Sequence, residues 1–156
     1  MDAGLVADPS SARCPHHRRG RGRADHGGAV RPVARYLALD VGDRRIGLAV
    51  GDRGGGVART LPTLRRRGTV RDVQAIGETA RREEVTALLI GLPLTLRGDE
   101  GPQATRVRRF AEACAALGLP VELHDERFTT AEAIRRGARD DDAGAAAILL
   151  EEFLQR

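Results

Sequence analysis

The segment from Val85 to Ile90 is apolar, shows no alternation of polar and apolar residues, and ends at Gly91-Leu92-Pro93. A strand of this kind is buried on both of its faces, which is typical of a parallel strand inside a sheet. Parallel strands need long connections, usually helices, and those helices cover the faces of the sheet. This segment therefore predicts a sheet with helices packed against it.

Strand and helix patterns alternate on both sides of this segment. A hairpin is predicted from two strands over residues 36–41 and 45–51, joined by a turn at Gly42-Asp43. Thr69 and Asp72 resemble a capping box, which marks the start of a helix that continues to about Arg82. The remaining predicted elements are a short third strand over 57–60, a helix from Pro102 to about Leu117, a fifth strand over 120–124, a short helix that begins at Thr129 and a last helix from about Asp142.

This order of elements indicates the fold class. Three antiparallel strands come first, and they are followed by helix, strand, helix, strand and further helices. An alternation of this type is characteristic of α/β proteins. We therefore expect a single α/β domain over residues 36–156, with a five-stranded mixed sheet of three antiparallel and two parallel strands, flanked by helices on both faces.

Residues 1–35 show no hydrophobic period and are rich in Gly, Arg, His, Pro and Ser. We expect this basic extension to be disordered, because it has too little apolar area to offset the entropy of ordering. Its seven arginines and three aspartates account for the whole net charge of +4. It is either an arm that contacts nucleic acid or a segment outside the working protein, whose start then lies near Val30 or Val33. Composition favours the second interpretation.

Composition also excludes several classes of protein. No apolar run approaches the roughly 20 residues of a membrane span. The two cysteines, Cys14 and Cys114, suit reduced thiols and a cytoplasmic location. We expect no secretory signal, because the arginines near the start are not followed by an apolar region. The chain has 26 arginines and no lysine, so the choice of Arg over Lys is a compositional bias and does not by itself indicate phosphate binding.

Four acidic residues stand where a predicted strand ends or a helix begins: Asp40, Asp125, Glu126 and Asp142. If the first and fifth strands end at one edge of the sheet, these carboxylates meet where α/β sheets bind ligands. Clustered carboxylates repel one another and favour a hard cation, Mg²⁺ or Mn²⁺. Two such ions about 4 Å apart can activate water for phosphodiester hydrolysis. Each acid also has an ordinary explanation, as a turn former, a helix cap or half of a surface ion pair.

The hairpin from Asp40 to Gly47 has a second interpretation. It resembles the first phosphate-binding hairpin of actin-like ATPases and sugar kinases. Those proteins place nucleotide between two similar lobes, whereas residues 36–156 are long enough for one. Nucleotide binding stays an alternative, and thermal stabilisation by ATP tests it.

Three longer motifs occur in the same order and at compatible spacing: LDVGDRRIGLAVG at residues 39–51, IGLPL at 90–94 and HDERFTT at 124–130. Together with Gly98, Arg106 and an aspartate followed by small residues at Asp142, they resemble the YqgF family. Members of this family are RuvC-like proteins of the ribonuclease H fold, described as pre-16S ribosomal RNA nucleases and as Holliday junction resolvases. The resemblance covers about residues 36–155.

The resemblance implies a ribonuclease-H-like domain that acts as a cytoplasmic, metal-dependent endonuclease in maturation of the 5′ end of pre-16S rRNA. It implies that Asp40, Glu126 and Asp142 are the catalytic acids and bind Mg²⁺ or Mn²⁺. The stretch before Asp142 is shorter than is usual in the family, so Asp140 and Asp141 remain alternatives for the third ligand.

Further residues of the motifs are expected to bind substrate. Arg127 is a candidate phosphate contact because a guanidinium can bind two oxygens at once, and Thr129 or Thr130 could assist it. Gly91 and Pro93 are expected to shape the floor of the site, where backbone approaches the substrate. Structured RNA is favoured over branched DNA as the partner, and monomer and homodimer both stay open. The alternatives are a junction resolvase and a nucleic-acid-binding module without catalysis.

Overall fold

A computed structural model of the chain describes residues 33–95, 97–126 and 142–156. The strands are β1 (Arg35–Val41), β2 (Arg45–Asp52), β3 (Arg59–Arg65), β4 (Ala87–Leu92) and β5 (Val121–Asp125). The helices are α1 (Thr69–Arg82), α2 (Pro102–Cys114), followed by a 3₁₀ turn at Ala115–Leu117, and α3 (Asp142–Gln155). The types and order of these elements agree with the sequence predictions.

The five strands form one mixed sheet in the order β3-β2-β1-β4-β5. β2 runs antiparallel to both β1 and β3, whereas β4 runs parallel to both β1 and β5. In this register Asp40 lies opposite Gly47, and Leu39 lies beside Ile90. The predicted α/β class and the predicted mixed sheet are confirmed.

Alternate residues of the central strand β1 face two separate cores. Leu37, Leu39 and Val41 pack with apolar residues of α1 and α2 on one face. Tyr36 and Ala38 pack under α3 on the other face. Small residues on that second face, including Ala38 and Ala49, let the alanine-rich helix α3 approach the sheet closely. Helices therefore cover both faces, as the apolar β4 required.

The third strand is longer than predicted and lies further along the chain, over residues 59–65 instead of 57–60. Its pairing with β2 shifts register between Ile46 and Leu48, so Pro62 and Thr63 both lie opposite Gly47. Such a bulge interrupts the period-two pattern from which strands are recognised in sequence. Pro62 is accommodated because β3 is an edge strand and the bulge removes a ladder hydrogen bond.

Two predictions concern segments outside this core. Only residues 33–35 of the predicted N-terminal extension are described, and Arg35 already begins β1. The disorder predicted for the extension therefore stays a prediction. Across the described ranges, no helix is both long enough and apolar enough to cross a bilayer.

Candidate active site

Asp40 lies near the carboxyl end of β1, on the side of the sheet that α3 covers. Alternation along the strand places it on the same face as Tyr36 and Ala38, which pack under that helix. It is half-buried, although its neighbours Leu39 and Val41 are buried apolar residues of the opposite core. An acid in this position belongs to the edge of the sheet where ligands of α/β proteins bind.

Gly47 brings the first residue of α3 next to Asp40. A Cβ atom built on Gly47 would lie 1.7 Å from the carbonyl oxygen of Asp142 and 2.2 Å from its carbonyl carbon. The backbone of α3 therefore rests directly on the backbone of β2, which only glycine permits at this point. Because Gly47 is the cross-strand partner of Asp40, Asp142 lies beside Asp40. An oxygen of the Asp142 carboxylate is 4.0 Å from the Arg45 guanidinium.

Glu126 approaches the same place from β5. Its backbone N–H donates to the carbonyl of Leu92 at 3.1 Å, which extends the β4–β5 pairing one residue past the strand. Its side chain folds back over Gly91 and occupies the space of the missing side chain there. A Cβ atom built on Gly91 would lie 1.7 Å from the Glu126 Oε1 atom. Gly91 follows Ile90, the residue that pairs with Leu39, so the carboxylate is directed toward Asp40.

The electrostatics show that these carboxylates interact. Burial, with the charge of Asp142 added, raises the pKa of Asp40 from 3.8 to about 6. Burial also raises the pKa of Glu126 from 4.5 to about 7, and the charges of Asp40 and Asp125 add to this effect. Both carboxyls therefore keep their protons to a higher pH than ordinary carboxyls do. A cation between them would remove this penalty, since an opposite charge favours the ionised form.

The donor set fits a hard divalent cation. All donors are carboxylate oxygens, which Mg²⁺ and Mn²⁺ prefer. Within the described ranges, no three His, Cys, Asp or Glu side chains stand close enough together to hold one ion. Mg²⁺ is commonly bound by one or two carboxylates together with water and substrate phosphates. Asp40 and Glu126 suit this open mode, with Asp142 close enough to raise the pKa of Asp40.

The structure describes part of the predicted site. Gly91 lies on β4 under the Glu126 side chain, and Pro93 directly follows that strand and is half-buried. Arg127, Thr129, Thr130, Asp140 and Asp141 lie outside the described residues. Sequence reasoning did not single out Gly47 as a site residue. The signal was available, because a glycine inside a strand often marks close backbone approach.

Gly91→Ala tests how Glu126 is placed. The new methyl group would meet the end of a flexible side chain, so we expect the domain to stay folded while Glu126 swings away. Phosphodiester cleavage, the activity expected from the motifs, should then fall at least about tenfold, because misplacement by 1 Å can cost a hundredfold. Thermal unfolding and cleavage assays measure the two effects.

The matched control is Gly55→Ala, at an exposed glycine whose added Cβ would make only an ordinary contact of 3.6 Å with the carbonyl oxygen of Asp52. We expect it to keep both fold and activity. If Gly91→Ala retains wild-type activity, Glu126 does not need the position described above.

Two solved structures share the fold. Thermus thermophilus RuvC in complex with Holliday junction substrate superposes with a TM-score of 0.55 at 17% identity, over 78% of this chain and 93% of that one. A second Thermus thermophilus RuvC structure gives a TM-score of 0.50 at 17% identity, over 77% and 93%. At this identity the similarity concerns the fold alone, and it confirms the RuvC-like fold expected from the motifs.

Sequence comparison identifies the family. The family model described as "RuvX: Holliday junction resolvase" matches residues 34–156. A protein of Anaeromyxobacter dehalogenans (strain 2CP-C) named "Putative pre-16S rRNA nuclease" is 47% identical, over 78% of this chain and 97% of its own length. A Moorella thermoacetica protein with the same name is 41% identical, over 78% and 95%. The chain therefore belongs to the RuvX family, the one that its three motifs indicated under the name YqgF.

Proposed function

We propose that this protein is a metal-dependent endonuclease that hydrolyses phosphodiester bonds in the cytoplasm, and that its substrate is the 5′ precursor region of 16S rRNA. The observation that carries the proposal is that Asp40 interacts electrostatically with Asp142 and with Glu126 at one edge of the sheet, with raised pKa values for Asp40 and Glu126. The name of the Anaeromyxobacter and Moorella relatives supports the choice of RNA.

In this proposal Asp40 and Glu126 are the ligands of the cation, and the sheet holds them in place. Mg²⁺ or Mn²⁺ would supply positive charge for the carboxylates and the phosphate, and a Lewis acid for hydrolysis. Asp40 is held by the β1 ladder, and Glu126 by its hydrogen bond to Leu92 and its seat on Gly91. Partial burial keeps bulk water from screening these charges.

Three further groups have proposed roles around the scissile phosphate. Asp142 is the third acid, and the close contact of α3 with Gly47 holds its backbone. Arg127, with Thr129 or Thr130, positions the phosphate, because a guanidinium can donate to two phosphate oxygens. Gly91 acts through Glu126, since it leaves the space that this carboxylate occupies.

The test uses the full chain and a labelled RNA that spans the 5′ precursor region of 16S rRNA. A four-way DNA junction is assayed in parallel, and each substrate is incubated with Mn²⁺, Mg²⁺ or EDTA. We expect cleavage of the RNA with either metal and no cleavage with EDTA. Cleavage that persists in EDTA would contradict the metal dependence, and an uncut RNA would contradict the ribosomal role.

A junction resolvase is the second candidate, because the matching family model carries that description. A four-way junction has two symmetric cutting positions, so a resolvase needs two active sites and hence a dimer. Symmetric cleavage of the DNA junction by a dimeric species, with the RNA left uncut, would favour this candidate. Sedimentation measurements on the same preparation give the oligomeric state.

A binding module without catalysis is the third candidate. It is favoured by the finding that no three acidic, His or Cys side chains of the described residues can enclose an ion. Such a protein would bind nucleic acid equally well with Mn²⁺ and with EDTA, and would cut neither substrate. Metal-dependent cleavage excludes it.

A further inference from the structure

A groove of about 780 Å³ opens beside the β1–β2 turn and the end of β3. We call it the arginine groove, and it is lined by Asp43, Arg44, Arg45, Thr63, Arg65 and Arg66. Four of these six residues are arginines, contributed by the turn, the start of β2, the end of β3 and the residue after it. None is aromatic, so the groove does not suit bases that stack on a ring.

The positive charge of the groove is only partly compensated. Its one acid, Asp43, is already paired with Arg106 at 2.9 Å. Arg44 and Arg65 are both exposed, and neither has an acidic partner among the residues that the structure describes. The groove therefore presents unneutralised cationic charge to solvent, whereas residues 36–156 as a whole carry no net charge. A local excess of this kind attracts anions.

The pairing of β2 with β3 adds to this excess. Arg45 and Arg65 are direct cross-strand partners. Like charges directly opposite one another on an antiparallel pair lower stability. An anion bound between the two side chains would turn this repulsion into attraction. The β2–β3 register thus places two positive charges opposite each other, and an anionic ligand would relieve their repulsion.

Arg66 is fixed in place before any ligand arrives. Its Nε donates to the Asp72 carboxylate at 3.1 Å, and another guanidinium nitrogen donates to the Gly42 carbonyl at 3.2 Å. The guanidinium also lies 5.2 Å from the centre of the Phe110 ring. Asp72 is only 2% exposed and accepts a further hydrogen bond from the Arg67 backbone N–H at 2.8 Å. A guanidinium held in this way loses little entropy when it binds a phosphate.

The groove leads to the candidate active site. A smaller pocket of about 270 Å³ shares Asp43, Arg44 and Arg45 with the groove and adds Gly42 and Asp142. Arg45 connects the two, because its guanidinium is 4.0 Å from the Asp142 carboxylate. A chain of phosphates that enters the active site could therefore continue along the groove.

We infer that the arginine groove binds the phosphodiester backbone of the substrate strand, on one side of the bond that is cut. This inference rests on the proposed function, because it takes a nucleic acid as the substrate. The recognised chemistry is a row of phosphates, which arginines bind through paired N–H donors. RNA and DNA both carry this backbone, so the groove contributes affinity and register without reading bases.

The test removes the two arginines whose charge is uncompensated. The groove variant, Arg44→Gln/Arg65→Gln, leaves Arg45 and Arg66 intact, since these contact Asp142 and Asp72. The matched control, Arg81→Gln/Arg109→Gln, removes the same charge from exposed positions on α1 and α2 that do not line the groove.

Binding is measured by fluorescence anisotropy over a series of salt concentrations, with full-length chains that also carry Asp40→Asn so that substrate is not cut. The probes are the labelled 5′ precursor RNA and the four-way DNA junction. We expect the groove variant to bind at least about tenfold more weakly at low salt. Its slope of log affinity against log salt should fall by about 1.4 for single-stranded RNA and about 1.8 for duplex DNA. The control should change neither quantity by as much.

Thermal unfolding separates a binding role from a structural one. The groove variant removes the repulsion between Arg45 and Arg65, so we expect its unfolding temperature to equal or exceed that of the wild type. A residue that only supported the fold would show the opposite change. Lower binding together with an unchanged or higher unfolding temperature supports the inference.

Cleavage by the protein without Asp40→Asn distinguishes the inference from the proposed function. If RNA or junction is cut but the groove and control variants bind alike, the groove assignment is overturned and the nuclease stands. If neither substrate is cut but only the groove variant loses binding, the groove stands and the nuclease fails. If the protein binds neither probe, both are overturned. Loss confined to one probe identifies that nucleic acid as the one the groove holds.

Discussion

Asp40→Asn is expected to lower the cleavage rate at least about a thousandfold and to make the metal-free protein more stable at pH 8. The activity falls because an amide is neutral and binds a divalent cation poorly. The stability rises because Asp40 is a half-buried acid whose pKa is raised to about 6 by burial and by Asp142. At pH 8 the folded protein must keep this carboxyl charged at a cost, and asparagine has no such cost.

The sign of the pH dependence follows from the same raised pKa. Asp40 in the folded protein binds its proton more tightly than in the unfolded chain, whose pKa is 3.8. Wild-type protein should therefore gain stability as the pH falls from 8 through 6 to 4. The advantage of Asp40→Asn should be about 1–3 kcal/mol at pH 8 and should shrink over that interval. Denaturant titrations in EDTA at pH 4, 6 and 8 measure it.

The control for this prediction is Asp52→Asn at the opposite end of the same hairpin. Asp52 pairs with Arg35 at 3.0 Å on the surface, so its loss should lower stability by less than about 1 kcal/mol at every pH and leave activity intact. Mn²⁺ should raise the unfolding temperature of wild-type protein more than that of Asp40→Asn. Equal effects of Mn²⁺ on both proteins would rule out Asp40 as a ligand.

Gly47→Ala is expected to lower the free energy of unfolding by about 2–4 kcal/mol and to abolish most of the nuclease activity. The added methyl group would overlap the backbone of Asp142, and a backbone cannot rotate away as a side chain can. The start of α3 must then move off the sheet, and Asp142 moves with it. Urea unfolding gives the stability, and cleavage under conditions where the variant is folded gives the activity.

Gly77→Ala provides the contrast. Gly77 is a buried glycine of α1 whose added Cβ would lie 2.7 Å from a methyl group of Leu117 and 3.9 Å from the Arg81 guanidinium. The Leu117 side chain can adjust, and alanine favours a helix over glycine by up to about 1 kcal/mol. We expect Gly77→Ala to be neutral or stabilising and fully active. A Gly47→Ala protein that behaves in the same way would contradict the close contact between α3 and β2.

The helix α1 begins where its sequence pattern predicts, but it is not capped in the predicted way. Thr69 and Asp72 resembled a capping box, and the helix does begin at Thr69. The cap itself is different, because Gly68 precedes the helix and no side chain caps it. Asp72 instead binds the Arg67 backbone and the Arg66 guanidinium. Asp72 thus bonds to the two residues before Gly68 and not to the cap residue, which no pattern within the helix could indicate.

The arginines show the same limit for the candidate binding surface. With 26 arginines and no lysine in the chain, composition could not indicate which cations matter. Only the register of β2 with β3 places Arg45 opposite Arg65, and only the contacts of Asp43 show that it is already paired. The arginine groove is therefore a property of the folded chain.

The sequence by itself determined the types and order of the elements, the mixed sheet, the family and the identity of the candidate acids. Hydrophobic periods, turn residues and motifs carry this information over a few residues, and packing changed the bounds of β3 and the cap of α1 without changing the order of the elements. The tertiary structure decided the meeting of Asp40 with Asp142 at Gly47, the seat of Glu126 on Gly91 and the raised pKa values. These depend on strand register and burial, which join segments far apart in the chain and therefore leave no local pattern.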